Sequence, residues 1–484
     1  MVTSKKIFSR TRLVALASIL FVASWSYAAE GVRYKDRLFK VSKAKTVTVA
    51  ENVPFLDPGD DGANYNTLSE MMYSFNIEPM MYFYKEEITK KQPLLMDIYE
   101  PVDDNAEKRA AVIVCHGGAF VASSKDDFDQ KSVAYTDSLA ARGYVTASLE
   151  YRQGVIMGEV IEERSSGDRY DEYIDSVDFA RTVYRAIQDV HAAVRYVRKN
   201  ADELKVDTNK IYIVGNSAGG MLALENVYAR SKKDFPSYVD KKGAESLGEL
   251  DEYGETGVGG HANGVVALWG AVHDANLVKN SKVPIFLAHG DSDYMMPFGK
   301  GRAISDVNRA LGEKATYLEI MGIFLHVSTP TLYGSAVVDS ILNERKVYHE
   351  FYAPRGLDLK HEFYDATRTD ENGDEVVYAD SVQNKVFAFL YNLAVDSVPA
   401  WQKPTSLPMV ALALASRITM GEDNRSFTVE RGENLAYAVF ELNGRRVMAG
   451  RASRGQTVDL STLHNGVYFL RVQGEPVRRI GLRK

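Results

Sequence analysis

The 484-residue sequence predicts an α/β protein: a mostly parallel, doubly wound sheet, followed by a small all-β module. Three observations predict it. Between about residues 95 and 395, Val- and Ile-rich runs alternate with helical patterns. Those runs are continuously apolar, as strands covered on both faces require. After a proline-bearing stretch, the pattern changes to short alternating runs separated by turn residues.

The strands follow one another as "PLLMDIYEP" (93–101), "RAAVIVCHGG" (109–118), "YVTASLEYR" (144–152), "KIYIVGNS" (210–217), "GVVALWGAV" (264–272), "VPIFLAHGD" (283–291) and "VYHEFYAP" (347–354). Helical patterns lie between them. In "DFARTVYRAIQDVHAAVRYVRKNA" (178–201), Ala180, Val183, Ile187, Val190, Ala193, Val194 and Val197 recur every three to four residues. Two polar stretches, 153–177 and 231–261, interrupt the series and are expected as walls or lids over a site, or as solvated loops.

The two ends of the chain read differently. Lys5, Lys6, Arg10 and Arg12 precede the apolar "LVALASILFVASW" and the small-residue ending Ser26-Tyr27-Ala28, which predicts a signal peptide over 1–28. The apolar run is shorter than the roughly 20 residues a membrane span needs. The expectation is a protein exported and soluble outside the cytoplasm. "VPAWQKPTSLPM" (398–409) holds three prolines and reads as a linker, leaving a main domain over 29–397 and an all-β module over 410–484. In that module Asn443-Gly444 between two alternating runs is a strong hairpin signal. From Arg445 onward nine Lys or Arg stand against Asp459 and Glu475, so the tail is basic and the chain before it acidic.

Composition excludes several function classes. A net charge of −7 does not suit a nucleic-acid partner. One cysteine, Cys115, rules out an internal disulfide and a cysteine-based zinc site. The nine histidines show no HExxH spacing.

The chemistry is concentrated in "VGNSAGG" (214–220). A G-x-S-x-G alone is a weak signal. Here it directly follows a β-branched strand and precedes the helix former "MLALENVYAR", the context in which a sharp strand–turn–helix exposes a serine, Ser217. A serine needs a base and an acceptor for developing charge. "CHGGAF" follows another strand end, where glycines let backbone N–H groups approach an oxyanion. His116 in it reads as a loop-ordering residue. Asp291 and Asp293 in "AHGDSDYMMP" compete as the acid. Where an elbow of this kind carries the serine, the order is Ser, acid, His. His326 in "IFLHV" reads as core and His349 lies inside a strand, whereas His361, in the loop "GLDLKHEFYD", is free to swing towards Ser217.

These residues resemble the α/β-hydrolase carboxylesterases with an HGG(G/A)F oxyanion loop and a G-[DN]-S-A-G-G elbow. The resemblance spans about residues 90–395 and includes "LLMDIYEP", "ARGYVTASLEYR" and "HGDSDYMMPFG". The last is similar to the family's H-G-x-x-D-x-x-V-P, which implies Asp293 rather than Asp291 as the acid. It also implies Gly118, Ala119 and Ala218 as the oxyanion-hole donors, and neither a metal nor an organic cofactor. Ala119 stands where the family has a third glycine, and the 68 residues from Asp293 to His361 exceed the family's usual gap. The tail, "VFELNGRRV…TVDLSTLHNGVYFLRVQG…RRIGLRK", resembles the β-sandwich sorting domains of type IX secretion cargo. That implies the secretion machinery as a partner and a secreted or cell-surface location. A carbohydrate-binding module is the competing reading of the tail. Together these features predict a secreted serine ester hydrolase, with acetyl or feruloyl esters of plant polysaccharides as the implied substrate. A prolyl-oligopeptidase-like peptidase and a silent hydrolase-fold binding protein are the alternatives.

Overall fold

The structure is a computed structural model that describes residues 32–66, 69–70, 81–126, 132–164, 167–240, 246–304, 323–354, 361, 367–369, 375–399, 418–421, 425–430, 434–441, 446–472 and 478–482. The signal-peptide segment 1–28, most of the linker 398–409 and the Asn443-Gly444 turn lie outside these residues.

Eight strands build the main sheet: β1 (Val41–Leu56), β2 (Thr89–Pro101), β3 (Arg109–Cys115), β4 (Val145–Leu149), β5 (Val206–Asn216), β6 (Gly264–Leu268), β7 (Ile285–Ala288) and β8 (His349–Tyr352). Their spatial order is β1-β2-β4-β3-β5-β6-β7-β8. The pairings β1/β2 and β2/β4 are antiparallel and the rest are parallel. Sequence reading misses β1, whose apolar residues alternate with Thr46 and Thr48, and which two bulged stretches bend along β2.

Among the described residues, five helices cover the sheet: α1 (Ser132–Ala140), α2 (Ser176–Lys199), α3 (Ala218–Tyr228), α4 (Ser335–Glu344) and α5 (Tyr378–Ala394). The period-2 geometry of a strand divides each apolar run between two cores. Val112 and Val114 of β3, Val214 of β5, Val266 of β6 and Phe286 of β7 pack with Leu139 of α1 and Val386 and Phe389 of α5. Their strand neighbours Ile113, Ile213, Val265 and Leu287 pack with Val190 of α2, Leu222 of α3 and Val338 of α4. Both faces are filled, so neither residue set tolerates polarity. Truncating Ile213, fully buried in the middle strand, to Ala removes roughly 2–5 kcal/mol.

α2 begins where its sequence says it should. Asp175 caps it, accepting from Val177 N at 2.7 Å and Asp178 N at 2.8 Å, and Arg198 and Lys199 occupy the last turn. The described residues of the polar stretch 231–261 are held against this helix rather than lying free in solvent. Leu247 and Leu250 are buried. Tyr184 donates to Gly248 O at 2.9 Å, Gln188 to Leu247 O at 2.6 Å, and Arg198 to His261 O at 3.0 Å. Helical side chains thus satisfy carbonyls of a segment whose own described secondary structure is two short 3-10 turns, Lys232–Asp234 and Ser237–Val239.

The other polar stretch forms an arm. Strand 158–164 pairs antiparallel with 167–174, and 323–327 adds to it in parallel. At its base Gly154 N donates to Phe120 O and Ser328 N donates to Ile174 O, both at 2.8 Å.

Beyond residue 418, strands 418–420, 426–429 and 457–459 form one antiparallel sheet. Strands 435–441, 446–452, 466–472 and 478–482 form another. They share one core that includes Phe427, Val439, Leu470 and Ile480.

Candidate active site

Ser217 sits between β5 and α3 at φ 54°, ψ −113°, a backbone conformation that L side chains rarely adopt. Its N–H donates to Leu268 O at 2.8 Å, which ties the turn to the end of β6. Glycine is obligatory beside it. A Cβ on Gly215 would lie 1.9 Å from Gly219 O, and one on Gly219 would lie 2.1 Å from Cys115 O. The serine therefore emerges above the ends of the parallel strands, at the N-terminus of α3.

His361 reaches this serine from 144 residues further along the chain, its Nε2 2.8 Å from Ser217 Oγ. Its Nδ1 lies 2.7 Å from Asp293 Oδ2. The Asp293 side chain is fully buried. Its Oδ1 accepts from Met295 N at 2.8 Å and Met296 N at 2.9 Å, so the loop after β7 fixes the carboxylate. Burial pushes its pKa up, but the His361 charge and hydrogen bonds from His289 and His361 outweigh burial. They hold the carboxyl well below the usual carboxylate range. Asp291, by contrast, accepts from Ser292 Oγ at 3.3 Å.

The loop after β3 passes beside the serine. Gly118, Ala119 and Phe120 have φ of 97°, 53° and 64°, a run of left-handed residues that turns successive peptides. Gly118 admits no side chain, since a Cβ there would meet Ala122 O at 2.0 Å. Among the described residues, the N–H groups of Gly118, Ala119 and Ala218 donate to no protein acceptor. His116 is fully buried and stacks on Tyr151 with ring centroids 4.2 Å apart, and Tyr151 OH donates to His116 O at 2.9 Å. Its surroundings are those of a loop anchor. Cys115 is buried just behind, where burial pushes its thiol up to about 12 and leaves it inert as a nucleophile.

His349 and His326 stand apart from the line of Ser217, His361 and Asp293 in the sequence of elements. His349 bonds Asp339 at 3.0 Å and Val347 O at 2.8 Å at the end of β8. His326 lies on strand 323–327, opposite Tyr173 in the register. Sequence reasoning gives no role to His289, Ser335 or Tyr151. The first lies in the quoted "AHGD" and the last in "LEYR", but neither letter discloses its partner.

Residues 96–155 and 178–253 match the BD-FAE family model. The chain carries a BD-FAE domain of the α/β-hydrolase kind. The gap between the two matched stretches, 156–177, holds the arm's hairpin, so the arm is an addition to the BD-FAE core. Residues 423–478 match the secretion system C-terminal sorting domain, which marks the chain for export to the cell surface or the medium. Carboxylesterase 3B of Mus musculus is 32% identical over 130 residues, 27% of this chain and 19% of that protein. The chain thus spans about a fifth of the length of that curated relative. Among solved structures, the propionate-bound esterase Est2 of the Planctomycetes species Thermogutta terrifontis is 19% identical, with a TM-score of 0.36, covering 65% of this chain and 93% of that one. Its butyrate-bound form is 18% identical, also with a TM-score of 0.36, over 62% and 90%. Among the described residues, no helix is long and apolar enough to cross a membrane.

Proposed function

We propose that this BD-FAE domain hydrolyses carboxylic esters by covalent serine catalysis. The observation that carries the reading is one imidazole bridging Ser217 Oγ at 2.8 Å and Asp293 Oδ2 at 2.7 Å. Asp293 is an acceptor, so the Nδ1 proton of His361 points at it and the Nε2 lone pair faces the serine hydroxyl.

The steps follow from that tautomer. As Ser217 Oγ attacks the ester carbonyl, its proton passes to His361 Nε2, and Asp293 stabilises the imidazolium. The carbonyl oxygen becomes an oxyanion, and the N–H groups of Gly118, Ala119 and Ala218 receive it. The tetrahedral species collapses, the C–O bond to the alcohol breaks, and His361 Nε2–H protonates the leaving oxygen. Water then gives its proton to His361 and attacks the acyl-enzyme. A second tetrahedral species expels Ser217, which takes the proton back, and the carboxylic acid leaves.

The substrate in this reading is an acetyl or feruloyl ester on a plant polysaccharide. Export supports it, because an enzyme outside the cell meets polymers too large to be imported. The resemblance to secreted carboxylesterases supports it too. A panel of p-nitrophenyl acyl esters, methyl ferulate, acetylated xylan and peptide amides tests acyl, alcohol and bond type together. Ser217→Ala should abolish ester turnover, with a loss on the order of 10⁶ as in a comparable serine hydrolase, and leave the thermal melt nearly unchanged. Ester turnover of the variant within about tenfold of wild type would overturn the assignment.

A further inference from the structure

His289 extends the line of hydrogen bonds beyond the acid. It lies at the end of β7 and is fully buried. Its Nε2 is 3.1 Å from Asp293 Oδ2, the same oxygen that accepts from His361. Met296 O lies 3.2 Å from the same nitrogen. Both neighbours of Nε2 are acceptors, so Nε2 must carry a proton.

The opposite ring nitrogen has its own partner. Ser335 Oγ lies 2.9 Å from His289 Nδ1 and 3.3 Å from Gly270 O. The Gly270 carbonyl can only accept, so the hydroxyl donates there while its oxygen holds the Nδ1 side of the ring, and the Nε2–H stays aimed at Asp293. Ser335 is the first residue of α4, and that helix end is keyed to the acid loop. Gly334 N donates to Gly299 O at 2.8 Å, Ala336 N donates to Phe298 O at 3.0 Å, and a Cβ on Gly334 would meet Pro297 O at 1.6 Å. The Phe298 ring packs edge-on against His289 with centroids 5.6 Å apart. The imidazole cannot turn without displacing this packing.

We propose that His289 is a positioning residue for the triad, with Ser335 holding the opposite edge of its ring. The proposal rests on the serine-hydrolase reading above. Asp293 has two backbone donors on Oδ1 and two imidazole donors on Oδ2. His289 therefore fixes the carboxylate's rotation and keeps it ionised beside His361. It also lowers the proton affinity of Oδ2, so the Nδ1 proton stays on His361 throughout the cycle. The charged and titratable groups that face Asp293 are these two histidines, one from the end of β7 and one from the loop beyond β8.

The test compares wild type, Ser217→Ala, His289→Leu, His289→Gln and Ser335→Ala, with p-nitrophenyl acetate as substrate, pH profiles from 5 to 9, and a thermal melt of each. His289→Leu should lower kcat by about 10- to 100-fold, the factor of one hydrogen bond to a charged group, with KM within about threefold. Its acid limb should move up by about half a pH unit, because Oδ2 then serves His361 alone and supports the imidazolium better. His289→Gln, which can still present an N–H to Asp293, should recover most of kcat and return the limb. Ser335→Ala should fall between. A His289→Leu enzyme with wild-type kcat and limb overturns the proposal. So does a loss that Gln fails to rescue with the limb unmoved, which marks a packing role. Should His289→Leu not fold, Ser335→Ala decides, and an unchanged kcat and limb overturn the proposal. Ser217→Ala separates the two levels: activity surviving there overturns the serine mechanism itself, whereas activity lost there and retained in the other variants overturns only the role of His289.

Discussion

Removing the His273 imidazole should expose how much of this fold rests on one buried ion pair behind the nucleophile helix. Glu225 lies two turns into α3 from Ser217, and its side chain is fully buried. It accepts from His273 N at 2.8 Å and from His273 Nδ1 at 2.9 Å, while His273 Nε2 lies 3.0 Å from Asp234 O. Both ring nitrogens face acceptors, so the ring is a cation. Burial lowers its pKa, but the Glu225 charge and hydrogen bonds to Glu225 and Asp234 outweigh burial and raise it to about 9. A histidine raised in the folded state contributes stability that is fully present below its unfolded value near 6.5. That stability is lost as pH rises through about 9. The rise from about 6.5 to about 9 corresponds to at most about 3 kcal/mol. His273→Leu should cost roughly 3–5 kcal/mol at neutral pH, because it strands Glu225. The double change His273→Leu with Glu225→Leu should recover most of the loss, since two apolar groups replace the pair. The assay is chemical denaturation of all three proteins between pH 6 and 10. Wild type should lose stability relative to the double variant progressively between about pH 6.5 and 9, and not below pH 6.5. A wild-type curve parallel to that of the double variant, or a single variant as stable as the double, would refute the ion-pair argument.

Three more expectations follow from the packing. Gly219→Ala should prevent the elbow from forming, because its Cβ would lie 2.1 Å from Cys115 O and 2.6 Å from His116 O; a soluble variant with normal ester turnover would contradict the geometry. Gly158 and Tyr173 face each other in the arm's ladder, so replacing 159–172 by an Asn-Gly turn closes the hairpin. Kinetics should then show small-ester turnover retained and KM for acetylated xylan raised by about tenfold or more, as lost uniform binding does. A chain ended after Val398 should fold and keep full esterase activity, since the strands beyond 418 have their own core. In the native host it should remain in the periplasm, and fractionated activity that still reaches the medium would return the tail to a carbohydrate-binding role.

The parts of this fold legible in the sequence are those where one local pattern has one physical solution. Val112, Ile113 and Val114 in sequence can only be a strand buried on both sides, and Gly215-Asn216-Ser217-Ala218-Gly219 after such a strand leaves little but a sharp turn. β1 is not legible that way, because Val47 and Val49 alternate with threonines as an antiparallel strand at the sheet's edge does, and its partner β2 fixes it. The arm was legible only as polarity. Its strand 167–174 finds 323–327 some 150 residues later, and no local signal announces that pairing. Segment 231–261 is polar for a different reason, since its carbonyls are met by Arg, Gln and Tyr of α2.

The same division runs through the site. Ser217, Asp293 and His361 each carry a local signature of turn, strand end or loop, whereas His289 and Ser335 are defined only by what they touch. Nothing about a histidine after "FLA" says that its Nε2 will meet the carboxylate four residues on. That meeting requires β7 to end where it does and α4 to start against Phe298. The chemical groups of a triad are therefore written in motifs, but the orientation of its acid is written in tertiary contacts. Loss of orientation should accordingly appear in pH profiles and kcat before it appears in any motif.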